Sequence, residues 1–458
     1  MKSPSKLTLG QKLKMIRDIK GFTQGFVAQK IKRNTMYVSR LESGQADCSN
    51  TMLVEIKKAM QIENAPLLEH ELIVYRNRLI VCNDLLNAGR TYDAREAYIN
   101  LFPLYILSYE QDLAFLHSMT EVRLLFQENN FLAGEERLIA AEAYLDKIGN
   151  DGFHLYHYNK AKLYIYNCDN KNALRHLLKA HAIKSDDFRN EIQLLLDIGI
   201  CYCDMGRPLL AIVYLERVSI LTRDERCSSF QAYINLALAA SYFSINELTR
   251  AKNLYENAIL YMRAINDTKM LCDSLGNLGM LYCFMGNPED GLALCNEALI
   301  YYNDLHLEQQ LLYERLLISR AWCLLKLKAH LQCKDVLMEG RDLTGGKLGI
   351  MFDALGHLMT LDEISSTDYI ETVAIPFFGK SDFVNRYYAI HFCDILESHY
   401  VKRKSLKKAK IIASISRDIY KEMLRVSDDT IAEQTFSASL VTRKKKPFIQ
   451  TSKQDEAV

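Results

Sequence analysis

Several absences narrow the 458-residue chain. No uncharged apolar run approaches the roughly 18 residues that cross a bilayer. The opening stretch MKSPSKLTLG has no apolar signal core, so a cytoplasmic protein is expected. The 12 cysteines follow no framework spacing, so reduced thiols are expected rather than disulfides. Cys201 and Cys203 point to opposite sides of a helix and do not make half of a zinc site. His154 and His157 stand one turn apart but lack a neighbouring carboxylate or thiol in sequence, which fits an ordinary helix face. There is no phosphate loop, no dinucleotide fingerprint and no HExxH. Nothing in the residues points to an enzyme, a metal or a cofactor.

Overall charge is also nearly absent, at +1, but it is unevenly spread. Residues 1–65 carry twelve Lys and Arg against five Asp and Glu, a net of +7, and the remaining chain carries −6. A small basic head on a mildly acidic body suggests that the head meets a polyanion. Inside that head, Thr23 to Glu42 reads TQGFVAQKIKRNTMYVSRLE. Two short helices fit it, one capped by Thr23 with Val27, Ala28 and Ile31 inward, the other capped by Asn34 with Val38 and Leu41 inward. That is the pattern of a helix-turn-helix, whose second helix lies in the major groove. Its outward face shows Thr35, Met36, Tyr37, Ser39 and Arg40, groups able to reach base edges or phosphates. Lys32 and Arg33 occupy the turn, where Lys32 must hold a left-handed conformation at a cost of about 1 kcal/mol and both charges sit near phosphate.

Asn64-Ala65-Pro66 marks a boundary, with Asn64 capping a new helix and Pro66 in its first turn. No long linker follows, so the head is expected to be coupled to the body. From about Leu72 the sequence repeats. Ala161, Gly199, Ala239 and Gly279 are each followed three residues on by Tyr, and twelve residues on by Ala173, Ala211, Ala251 and Gly291. A small residue on one helix lets a second approach, the Tyr fills the gap, and the second small residue faces back. Each pair leaves an apolar face that only the next pair covers, so the units stack. Fainter units fit Cys82 with Ala94, Glu121 with Ala133 and Ala321 with Cys333. Further pairs fit 350–376 and 383–425, with Pro376 to Gly379 breaking the pattern between them. The expected fold is all-α: a helix-turn-helix domain over 1–64, a right-handed repeat solenoid over 65–425, and a polar, disordered tail over 426–458 whose run Arg443 to Lys446 is solvated.

Leu7 to Met60 resembles the DNA-binding domain of the Xre/Cro-type repressors, with Leu9, Leu13 and Ile16 on the first helix and Ser49, Leu53, Ile56 and Ala59 on the fourth. The repeats resemble tetratricopeptide repeats with longer helices. Head and solenoid together resemble the RNPP family of peptide-sensing regulators of Gram-positive bacteria. The resemblance implies that Gln24 contacts phosphate, and that Arg17 and Glu42 form a buried structural ion pair. It implies a short, re-imported signalling peptide on the concave face, held by Asn side chains on the first helices of successive repeats. An Asn amide both donates and accepts, so it suits an extended backbone of any sequence. The matching positions are Asn159, Asp197 and Asn277, while Ala237 departs from the pattern. It further implies double-stranded DNA as a partner, a homodimer or higher oligomer, and control of genes such as those for extracellular proteases. A second possibility stays open: a scaffold that sequesters a response regulator, with DNA binding secondary.

Overall fold

The computed structural model describes residues 7–87, 90–101, 109–145, 148–183, 188–222, 228–304, 310–343, 347–380 and 386–425. The expected tail, with Arg443 to Lys446, lies outside them. The described residues are helical with no strand, as expected of an all-α chain. None of their helices is long and apolar enough to cross a membrane. They pack as two compact units divided between Cys201 and Tyr202.

The first unit opens with α1 (Leu9–Ile19), α2 (Gln24–Lys30), α3 (Thr35–Glu42) and α4 (Asn50–Ala59). Side-chain caps start all four. Thr23 accepts from the Phe26 N–H and Asn34 from the Tyr37 N–H, as the sequence indicates, while Thr8 and Ser49 do the same for α1 and α4. Leu13, Ile16, Val27, Ala28, Ile31, Val38, Leu41, Leu53 and Ile56 form the core between them. Lys32 adopts φ 53°, the left-handed turn expected of it.

The head is tied to the body, by different atoms from those expected. Helix α5 (Glu69–Asn87) begins after Pro66, not around it. Its cap is the Glu71 carboxylate, which accepts from the Leu67 and Leu68 N–H groups and pairs with Lys57 at 2.6 Å. Lys12 of α1 is buried, pairs with Glu110 at 2.7 Å and donates to the Leu67 carbonyl. Tyr109 donates to the Pro66 carbonyl and joins the head's core.

Helices then come in pairs: α5 with α6 (Thr91–Ile99), α7 (Gln111–Gln127) with α8 (Phe131–Glu142), and α9 (Asn150–Tyr166) with α10 (Asn170–Ala182); the division falls within the last turn of α11 (Phe188–Asp204). The second unit holds α12 (Pro208–Leu221), α13 (Ser228–Ser244), α14 (Leu248–Ile265), α15 (Thr268–Phe284), α16 (Pro288–Asp304), α17 (Gln310–Lys326), α18 (His330–Leu343), α19 (Lys347–Met359), α20 (Ile364–Tyr369), α21 (Ile375–Phe378), α22 (Arg386–Lys402) and α23 (Leu406–Met423).

The twelve-residue spacing of small residues is a spacing of contacts. A Cβ on Gly291 would stand 2.4 Å from the Gly279 carbonyl, so α15 and α16 meet backbone to backbone. Ala161, Ala173, Ala239 and Ala251 are fully buried, as are Ala321 and Cys333. The tyrosines bind the preceding pair: Tyr242 donates to Glu216 at 2.6 Å and Tyr282 to Glu256 at 3.3 Å. Two details differ from the sequence reading. In α7 and α8 the register moves by one, to Val122 and Gly134, because Gly134 must admit the Phe126 ring. Pro376 does not break its helix, which runs on from α20 through a π-turn at Ile370–Ala374 into α21 and ends at Gly379. A proline donates no N–H, and the wider turn absorbs the loss.

Candidate functional sites

The head presents one exposed basic face. Thr35, Met36, Ser39 and Arg40 are exposed on α3, with Met36 at 68%, and Lys32 and Arg33 are exposed in the turn before it. A large, solvated thioether has no packing reason to be there, so Met36 is available to a partner. Tyr37 is half-buried against the core, and the Arg33 guanidinium lies over its ring at 5.8 Å. Packing is therefore part of what Tyr37 does.

Behind that face the expected ion pair is formed. Arg17 binds Glu42 through two bonds of 2.6 and 3.0 Å, and both residues are buried. The hydrogen bonds that Arg17 donates to Glu42 strengthen the hold of Arg17 on its proton. Gln24 donates to the same carboxylate at 2.7 Å. Its amide nitrogen is thus engaged inside the head in this structure, where Glu42 offers a charged acceptor.

In the first unit the first helices of successive pairs carry a connected polar string. Arg123 of α7 donates to Asn83 and Asn87 of α5, both at 2.6 Å, and lies over the Tyr158 ring of α9 at 5.9 Å. The Tyr158 hydroxyl donates to Asp197 of α11 at 3.0 Å, and Lys162 pairs with the same carboxylate at 2.6 Å. Gln193 completes the coordination of Asp197 at 3.2 Å. Burial works against the charge on Lys162, but Asp197 and Tyr158 outweigh it and its pKa stands above the ordinary lysine value. Burial first, and then Asp197, push the Tyr158 phenol up to about 12.

Asp197 is therefore where the repeat pattern puts it, but already satisfied. Asn159 is not on this face. It is fully buried and donates to the Met119 carbonyl at 3.1 Å, a tie between α9 and α7. One residue is a rotation of about 100° on a helix, so Tyr158 and Lys162 take the face that the sequence assigned to Asn159.

The second unit differs. Asn277 of α15 is half-buried, and its side chain makes no hydrogen bond among the described residues. Ala237, at the equivalent place on α13, is half-buried too. One turn before Asn277, Asp273 pairs with Arg315 of α17, whose side chain remains 45% exposed. Asp204 makes no hydrogen bond or ion pair among the described residues. Burial raises its pKa to about 6; Arg315 opposes that shift and Asp273 adds to it. Asp273, Arg315 and Asp204 were missed in the sequence. Their signal was a charge recurring on first helices near the repeat period, as Asp273 and Arg315 do.

His154 and His157 do not converge. His154 bonds the Ala180 carbonyl, and His157 meets His176 at 3.0 Å. Among the described residues no group of His, Cys, Asp or Glu is arranged to hold a metal.

No protein-family model and no curated protein sequence matches the chain. Solved structures do match its fold. The apo form of the quorum sensor NprR from B. thuringiensis is 17% identical, with a TM-score of 0.56, over 75% of this chain and 98% of that one. NprR in complex with its cognate peptide NprX gives 16% and 0.57, over 75% and 99%. A Rap protein complexed with competence and sporulation factor gives 11% and 0.62, over 77% and 99%. The expected resemblance to the RNPP family and its tetratricopeptide-like repeats is met in the fold.

Proposed function

We propose that the chain is a cytoplasmic, DNA-binding transcription regulator whose repeat body senses a short signalling peptide. The observation that carries this reading is the exposed basic face of α3 and its turn, on a head fixed by Lys12, Lys57 and Tyr109 to a repeat stack. A fixed head moves when the stack to which it is tied moves, so a ligand on the repeats can alter how the heads address DNA. The likeness to NprR with its peptide NprX supports a peptide ligand. Within the repeats, Asn277 with Asp273, Arg315 and Asp204 is the part best suited to receive it, because its polar groups are incompletely paired. Extracellular protease genes are the first targets to try.

Fluorescence anisotropy at fixed salt on the DNA upstream of the chain's own gene tests the reading, with and without a peptide fraction from spent medium. Sequence-specific binding that changes with the fraction is expected. Equal affinity for unrelated DNA would sink the DNA-binding reading. The likeness to a Rap protein favours a second reading, in which the repeats sequester a response regulator; capture of such a protein from lysate, without specific DNA binding, would support it.

A further inference from the structure

The head is not the only basic segment. Residues 402–425 carry nine Lys and Arg against two Asp and Glu, a net of +7 and as much as the whole head. Residues 66–401 carry 31 against 44, a net of −13. The second basic segment is the turn between α22 and α23 followed by α23 itself.

Ion pairing divides these cations. Arg403 meets Asp362 at 2.7 Å and Lys408 meets Glu371 at 4.0 Å, so these two are engaged within the fold. The others face water. At about 100° per residue, Lys407, Lys410, Arg417 and Lys421 fall within an arc of about 80° on α23, opposite the buried Ala409, Ile412 and Met423. All four are exposed, and they run for about 21 Å along the helix. Lys402 and Lys404, exposed at the turn, continue the charge beyond the start of α23. Lys402, Lys404, Lys407, Lys410 and Arg417 make no ion pair among the described residues. Lys421 has Asp418 at 3.9 Å, but both side chains are 72% exposed and such a pair holds weakly. Glu422, the other acid, is met by Arg207 and Arg425, each at 3.7 Å.

We propose that this stripe lies along the phosphate backbone of double-stranded DNA, a contact without sequence preference. The end of a repeat stack needs a polar outer face, but not one of a single sign. Helix α18, in the same unit, mixes Lys334, Asp335, Glu339, Arg341 and Asp342. The order of residues round α23 also separates a rod-like polyanion from a lipid surface. A helix lying in a membrane centres its apolar residues and sets its lysines toward the water. Here cations hold the centre, and the exposed Leu406 and Ile411 stand at the two margins. A straight line of about 21 Å runs past about six phosphates of one strand, which recur about every 3.4 Å of duplex axis. Most of the charge is lysine, which meets phosphate as a point charge, whereas base reading favours the arginine fork. The contact needs only the charge of the duplex and does not rest on what α3 reads. It keeps the chain on DNA while the head is between sites.

Fluorescence anisotropy of the full chain on an unrelated duplex, from about 50 to 200 mM salt, tests the stripe. The head face is silenced by R33E/R40E, so that the body is read. That chain is expected to bind, with affinity falling steeply as salt rises. Adding K407Q/K410Q/R417Q should weaken binding by about tenfold or more and reduce the slope of log affinity against log salt by about 2.7, for three phosphates at about 0.9 each. K407R/K410R keeps the charge and should bind as its parent does. Circular dichroism checks that the helix is kept. Should the triple variant lose it, K402Q/K404Q, outside α23, decides by a slope reduced by about 1.8. No duplex binding by the head-silenced chain, a slope untouched by the Gln variants, or capture by phosphatidylglycerol vesicles through the same residues without duplex binding would overturn the proposal. Operator preference is read on the chain with its head intact, so failure of the proposed function and failure of the stripe are separate results.

Discussion

The two units carry similar polar residues on their first helices and use them differently. In the first, Asp197 is met by Lys162, Tyr158 and Gln193, and Arg123 by Asn83 and Asn87. In the second, Asn277 and Asp204 have no hydrogen-bond partner among the described residues, and Arg315 shares its charge between Asp273 and solvent. A satisfied network stiffens a stack, since breaking it strands a buried charge. An unsatisfied one gives up little when a ligand arrives, because the ligand replaces water and not a protein partner. The first string therefore reads as scaffold and the second as receiver, although sequence pattern alone places Asp197 and Asn277 in one class.

The largest effects should come from satisfied pairs. Arg17→Ala strands the buried Glu42 and should cost about 3–5 kcal/mol, seen as loss of the head's cooperative melting and not as altered operator preference. A variant that keeps wild-type stability and changes only DNA preference would show that the pair is not structural. Asp197→Asn keeps the shape but leaves Lys162 without its counter-charge; urea unfolding should report a loss of about 2 kcal/mol, the size of a hydrogen bond to a charged group. Lys162→Met with Asp197→Leu should recover part of it, because a packed apolar pair needs no counter-ion.

A smaller effect, with a pH signature, belongs to Asp204. Its folded pKa of about 6 lies above the ordinary carboxyl value of 3.8. The folded state thus binds the proton more tightly, and Asp204 contributes stability at low pH that is lost as pH rises from about 4 through 6. Asp204→Asn should remove that slope, measured as the difference in melting temperature between the two chains at pH 4.5 and at pH 7. Parallel curves would mean that Asp204 is solvated like any surface carboxylate.

The parts legible in the sequence were the local ones. Thr23 and Asn34 declare their helices because a cap bonds within three residues, and Lys32 declares its turn by position. The small residues twelve apart specify a helix hairpin because both ends of the contact lie in one repeat. What failed were statements needing helix register or distant partners. Asn159 and Tyr158 are neighbours in sequence, yet only one faces the polar string; spacing fixes a repeat to within about a residue, and one residue turns a side chain through 100°. The same slip moved Ala133 to Gly134. The bond from Gln24 to Glu42 was not foreseen because its partner is 18 positions away, and Lys162 was passed over because its counter-charge lies on the next pair.

The smallest expected change in stability is the one that would sharpen the contrast most. Asn277→Ala removes an amide with no hydrogen-bond partner among the described residues, so unfolding should shift by less than about 0.5 kcal/mol, the range of substitutions that break no interaction. If the second unit receives a peptide backbone, the same change deletes a donor and an acceptor from the complex, and each such bond is worth about 1 kcal/mol. Peptide affinity should then fall by roughly tenfold or more while the melting curve stays in place. Calorimetric titration of the active peptide fraction into both chains separates the outcomes. Equal affinities would remove Asn277 from the ligand's path and return the search to Asp273 and Arg315. A large loss of stability would mean instead that Asn277 belongs to the scaffold, and the distinction between the two units would fail at the residue that defines it.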